Sequence, residues 1–115
     1  MRRLTLALIA AVVLVGVNLS AQKAQSYSGE IMDSQCAFLS GHSNMAKQGE
    51  SAKDCTNRCV MLGGKYVLFD GANKTTYQLD DQKKAAQFAG AKVKVDGTLN
   101  ATTKTIHVTD IKAGA

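Results

Sequence analysis

Apolar residues recur along this chain with two periods, and one stretch between them has neither. From Tyr27 to Asp33 the positions alternate, Tyr27, Gly29 and Ile31 against Ser28, Glu30 and Met32, which is the period of a strand. The alternation stops over residues 34–50. That stretch is rich in Ser, Gly, Asn and Gln, with Phe38, Leu39 and Met45 as isolated apolar anchors, and it reads as a loop with a turn of helix. Ser51 to Leu62 then shift to helical spacing. Ser51 is a suitable N-cap, Asp54 favours the first turn, and Cys55, Cys59 and Leu62 fall at i, i+4 and i+7 on one face. Gly63 and Gly64 end the helix.

Short strands dominate the rest. Lys65–Phe69 and Thr75–Leu79 flank a hairpin turn containing Asp70-Gly71 and Asn73-Lys74. Asp80 is placed to cap a short helix reaching Ala89, with Ala85, Phe88 and Ala89 as its apolar stripe and Gly90 as its stop. Lys92–Thr98 and Thr105–Ile111 alternate again. Ile106 and Val108 share a face, but Ile111 has the opposite parity, which predicts a bulge or a two-sided strand end. The order is strand, cysteine-bearing insertion (34–64), strand, strand, helix, strand, strand. That order predicts a mostly β domain, a five-stranded OB-like barrel over residues 27–112, although an open five-stranded sandwich gives the same string.

The head of the chain changes the picture of where this domain works. Arg2 and Arg3 precede an uncharged apolar run, Leu4 to Leu19, followed by small residues. This is the layout of a secretory signal peptide over residues 1–21, with cleavage expected after Ala21 and Ser26 as a second site. The run is short of the roughly 20 residues of a membrane span, so no stable span is expected after cleavage. Residues 22–26 read as a flexible lead-in, and the mature protein is expected to be periplasmic or secreted. The formal charge is +5, and two of those positive charges, Arg2 and Arg3, leave with the signal. The remaining lysines form no dense stripe, and export argues against a nucleic-acid partner.

Candidate chemistry concentrates in the insertion. Cys36, His42, Cys55 and Cys59 lie close in sequence, and the three cysteines are the only ones in the chain. Three thiolates and an imidazole complete a tetrahedral shell for zinc, and soft sulfur donors suit Cu(I) as well. Met45 and Met61 are further candidate copper donors, though a loop methionine is more often a packing anchor. The rival reading is a disulfide from Cys36 to Cys55 or Cys59, worth about 3 kcal/mol in the chain-entropy picture, in a structural module that binds another envelope protein. An odd thiol count leaves one cysteine over in that case. Thiol redox chemistry ranks third, because there is no C-x-x-C pair and Asp54 opposes thiolate formation at Cys55.

Weaker signals surround the cluster. Asp33 is placed to orient His42 or to cap the next turn. His107 reads as a surface residue of the last strand. Tyr66, Tyr77 and Phe69 read either as an aromatic binding face or as core pairs. No paired carboxylates, Ser-His-Asp set or phosphate loop is present, so the domain is expected to be non-catalytic.

The motif G-x-I-x-D-x-x-C (Gly29 to Cys36), a following His, C-x3-C and G-x-K-Y-V-L resembles a family of small exported bacterial proteins. A-G-x-K-V-x-V-x-G-T-L (Ala89 to Leu99) and I-x-V-x-x-I (Ile106 to Ile111) fit the same family. The resemblance covers nearly all of residues 27–112 and implies an OB-like fold and an exported compartment. The family has no established biochemical role, so it implies no activity.

Overall fold

The computed structural model describes residues 24–114. The signal peptide expected over residues 1–21 lies outside them. Five strands close on themselves: β1 (Gln25–Asp33), β2 (Tyr66–Asp70), β3 (Thr75–Leu79), β4 (Lys92–Asn100) and β5 (Thr105–Ala113). Their order around the closed sheet is β1-β2-β3-β5-β4, the OB-like arrangement that the element string predicts. Three helices join it: α1 (Ser34–Phe38), α2 (Ala52–Met61) and α3 (Gln82–Ala86). No helix among the described residues is long and apolar enough to cross a membrane.

β1 makes closure possible by serving two neighbours in turn. Its first half, Gln25 to Glu30, pairs antiparallel with β4, and its second half, Glu30 to Asp33, pairs with β2. Glu30 sits at the changeover. The last seam is a short parallel pairing of β3 with β5 at Gln78 and Leu79. Inside the barrel Ile31, Leu68, Leu79, Val93, Val95, Ile106, Val108 and Ile111 form one apolar core, with Ala85 of α3 plugging an end. Burial of such aliphatic side chains stabilises by about 1.5–3 kcal/mol each.

The irregular parity of β5 resolves as a bulge. Asp96 pairs with Asp110 but Gly97 pairs with Val108, so Thr109 is the extra residue. That extra residue lets Ile106, Val108 and Ile111 all face inward.

Several local expectations shift. β1 begins at Gln25, so part of the lead-in is paired strand. Asp80 does not cap α3. Its carboxylate is taken by β5, accepting from Val108 N at 2.9 Å and contacting His107 Nδ1 at 2.5 Å, and Asp81 caps the helix through Lys84 N instead. α3 also ends earlier than the sequence suggests, at Ala86, and Phe88 to Gly90 continue as turns. Leu62 does not share the buried face of Cys55 and Cys59. It is the C-cap of α2 and is exposed, as Met61 is, because the chain turns away at Gly63 with φ +111°. The aromatic residues part company. Tyr77 packs on Tyr27, Tyr66 Oη donates to Asn57, and Phe69 lies under the insertion.

The insertion covers the outside of the barrel. Ile31, Met32 and Asp33 are consecutive and all buried, as are Val67, Leu68 and Phe69. A strand with one wet face alternates, whereas these segments are dry on both sides because α1 and α2 lie over β1 and β2.

Candidate metal centre

Short-range capping aims the first cysteine. Asp33, fully buried at the end of β1, is the N-cap of α1, so the capping role foreseen for it holds. Its Oδ1 accepts from Cys36 N at 2.8 Å and its Oδ2 from Gln35 N at 3.0 Å. Cys36 is thereby fixed one turn after the sheet, with no exposed surface. Gly41 N then bonds back to Cys36 O at 2.8 Å and returns the chain, and a 3-10 turn, His42–Asn44, follows. On α2, Ser51 caps Asp54 N, and Cys55, Thr56 and Cys59 form the buried face.

An ion pair pins the loop between these helices. Arg58 donates to both carboxylate oxygens of Glu50 at 2.9 Å and to Met45 O at 2.8 Å. The two-pronged contact with Arg58 holds the Glu50 carboxyl down at about 2. Met45 and Ala46 are thus held against a second apolar cluster, made of Met32, Cys36, Ala37, Cys55, Cys59, Val67 and Phe69.

The sulfur atoms of Cys36 and Cys55 are 3.9 Å apart. One ligand atom each from Cys36, His42 and Cys55 lies within 4.8 Å of the others. A second group at the same spacing is Asp33, Cys36 and Cys59. The four residues expected to surround one ion are therefore split, with Cys36 common to both groups and Cys59 standing beside Asp33 rather than His42. One helical turn carries Cys59 about 6 Å along the axis from Cys55. All three cysteines are free thiols.

The surroundings are dry and electrically unusual. Burial pushes the Cys36 thiol far above its ordinary range, and the neighbouring Asp33 adds to the rise. Burial raises Cys55 as well. Both ring nitrogens of His42 are buried without a hydrogen-bond partner. Nε2 faces Glu30 Oε2 at 3.4 Å without forming a hydrogen bond, close enough for the carboxylate to orient the ring. A buried, unpaired polar group costs about 1–3 kcal/mol, and a cation bound at the other ring nitrogen removes that cost.

Glu30 is the residue of this site that sequence reasoning overlooks. Its parity marks it as an outward strand position, and only the fold shows that the insertion returns over it. Met61, a candidate copper donor by sequence, is 86% exposed at the far end of α2 and stands apart. A groove of about 580 Å³ lies elsewhere, between β2, β3 and α3. Its central amide, Gln82, is already bonded to Tyr66 N, Tyr66 O and Leu79 O.

No family model, no curated protein and no solved structure matches this chain.

Proposed function

We propose that the chain is an exported, non-catalytic module that binds one thiophilic transition-metal ion, zinc or Cu(I), through Cys36, His42 and Cys55. The observation that carries this reading is the 3.9 Å separation of the two sulfurs. Two thiolates about 2.3 Å from a shared ion stand about 3.8 Å apart at the tetrahedral angle and about 4.0 Å apart in a trigonal plane. The unpartnered imidazole beside them supplies the third donor. Binding would displace the thiol protons and leave a charge compensated by the ion. The resemblance to small exported OB-like proteins is part of this reading and gives the compartment in which the ion is met.

The same pair supports a second reading. Cys36 and Cys55 are adjacent, and after side-chain rotation a thiol oxidant of the exported compartment, by taking two electrons and two protons from the pair, would join their sulfurs at about 2.05 Å as a disulfide. The module is then a stapled envelope domain that binds another protein. Intact mass of the exported protein, native and denatured, with and without alkylation, separates the two. Metal binding predicts a native mass excess of one ion and three alkylated cysteines after denaturation. The staple predicts a mass two hydrogens light, one alkylated cysteine and no metal.

A further inference from the structure

We propose that the ion this site selects is monovalent copper, held by two sulfurs and one nitrogen in a three-coordinate shell that excludes Cys59. This rests on the metal-binding reading above and narrows it to one class of ion. Zinc in closed protein sites takes four ligands, and where only three are protein groups a water completes the shell. Here the fourth residue expected from sequence falls in the other group, beside Asp33. The donors are also shielded from bulk solvent: Cys36 and Cys55 have no exposed surface, and the ring nitrogens of His42 are buried. A soft monovalent ion accepts three donors and needs no water.

The lining points the same way. Met32 is 4% exposed within the cluster that holds all three cysteines, and Met45 packs against it, pinned by Arg58 through its carbonyl. Such a lining is apolar, and the thiolates it surrounds are donors that select Cu(I), whereas carboxylate and water suit harder ions. The carboxylate that reaches a sulfur here, that of Asp33, belongs to the group without His42 and is held by the amides of Gln35 and Cys36. Glu30 faces the imidazole and acts as a positioning residue for it.

The test is an anaerobic competition with the reduced full-length mature protein. Cu(I) is offered against bicinchoninate, and Zn(II) against a chromogenic zinc chelator, for the wild type and for Cys59→Ser, Cys55→Ser and Cys36→Ser. Circular dichroism of each variant confirms that it is folded before it is compared. The expected result is one Cu(I) per chain that displaces bound Zn(II). Cys59→Ser is expected to keep that affinity within a few-fold, and Cys55→Ser to lose at least about 100-fold. Zinc held in preference to copper, and lost in Cys59→Ser, overturns the inference and leaves a four-ligand zinc site. Reduced wild-type protein that retains neither ion overturns both the inference and the reading beneath it.

Discussion

The barrel and the insertion are built on opposite principles. The barrel core is made of branched aliphatic side chains and alanine, with no polar atom to satisfy. The insertion core packs three thiols, a thioether and a phenyl ring beside a buried aspartate, a buried threonine hydroxyl without a partner and an unpaired imidazole. The first kind of core is stable by itself, because its driving force is area removed from water. The second carries a cost, because the ring nitrogens of His42 and the hydroxyl of Thr56 are buried without hydrogen-bond partners. The contrast fits the proposed division of labour, in which one region supplies the fold and the other would hold the ion.

The largest effect expected tests the first half of that contrast. Leu68→Ala or Ile106→Ala empties a fully buried position in the barrel and is expected to cost about 2–5 kcal/mol, read as a lowered urea midpoint. Metal bound per folded molecule is expected to stay unchanged, since neither side chain belongs to the cysteine cluster. The converse test concerns the insertion. Metal at about 100 times its Kd stabilises by about 2.7 kcal/mol, so addition should raise the Tm and a chelator should reverse the rise. Cys55→Ser is expected to abolish that shift.

Gly90 lies on the seam between the regions. It has φ +73°, its N–H bonds Ile31 O, and a Cβ there would collide with the backbone of Ala52 and Lys53 at the start of α2. Gly90→Ala is expected to cost about 1–2 kcal/mol from the backbone alone. It should also loosen amide protection in β1 and α2 together, whereas a protection loss confined to one of them breaks the idea of a shared seam.

A smaller effect sharpens the picture of the insertion by pH. The carboxyl of Glu50 has its folded pKa lowered from 4.5 to about 2 by Arg58. Its contribution is therefore present above pH 4.5 and is lost as pH falls towards 2. Amide exchange in residues 45–50 is expected to quicken over that window while the barrel strands stay protected, and Glu50→Gln should flatten the response. The smallest effect belongs to the exposed Asp80–His107 pair. His107→Ala is expected to cost about a few tenths of a kcal/mol and to leave metal binding untouched.

The strands and the irregular parity of β5 are legible in the sequence because each depends on a period of two and its one violation, whereas closure of the sheet and the choice of a bulge over a two-sided end are decided by the pairing. The cap of α3 is not. Asp80 and Asp81 are equivalent locally, and only the arrival of β5 decides that Asp80 is already engaged. The site is legible in its residue types and less so in its grouping. Helical spacing places Cys55 and Cys59 on one face, but which of them meets His42 depends on how a 3-10 turn folds back over Glu30. Glu30 itself carries no local signal, since its role comes from the point where β1 exchanges one neighbour for the other.

The two ends of the insertion meet. Ser34 N donates to Lys65 O at 2.9 Å, Lys65 N donates to Ser34 Oγ at 3.3 Å, and Asp33 pairs with Tyr66. Everything from Ser34 to Lys65 thus departs from and returns to one spot at the tip of a β-hairpin. Among the described residues, no barrel pairing runs through it. The segment is a cassette in the engineer's sense: a tight turn can replace it without changing the connectivity of the sheet. Grafted onto the β1–β2 corner of another barrel, it needs two strand ends at the same spacing, an outer face as apolar as Met32, Val67 and Phe69, carboxylates at the places of Glu30 and Asp33, and a glycine where Gly90 meets α2.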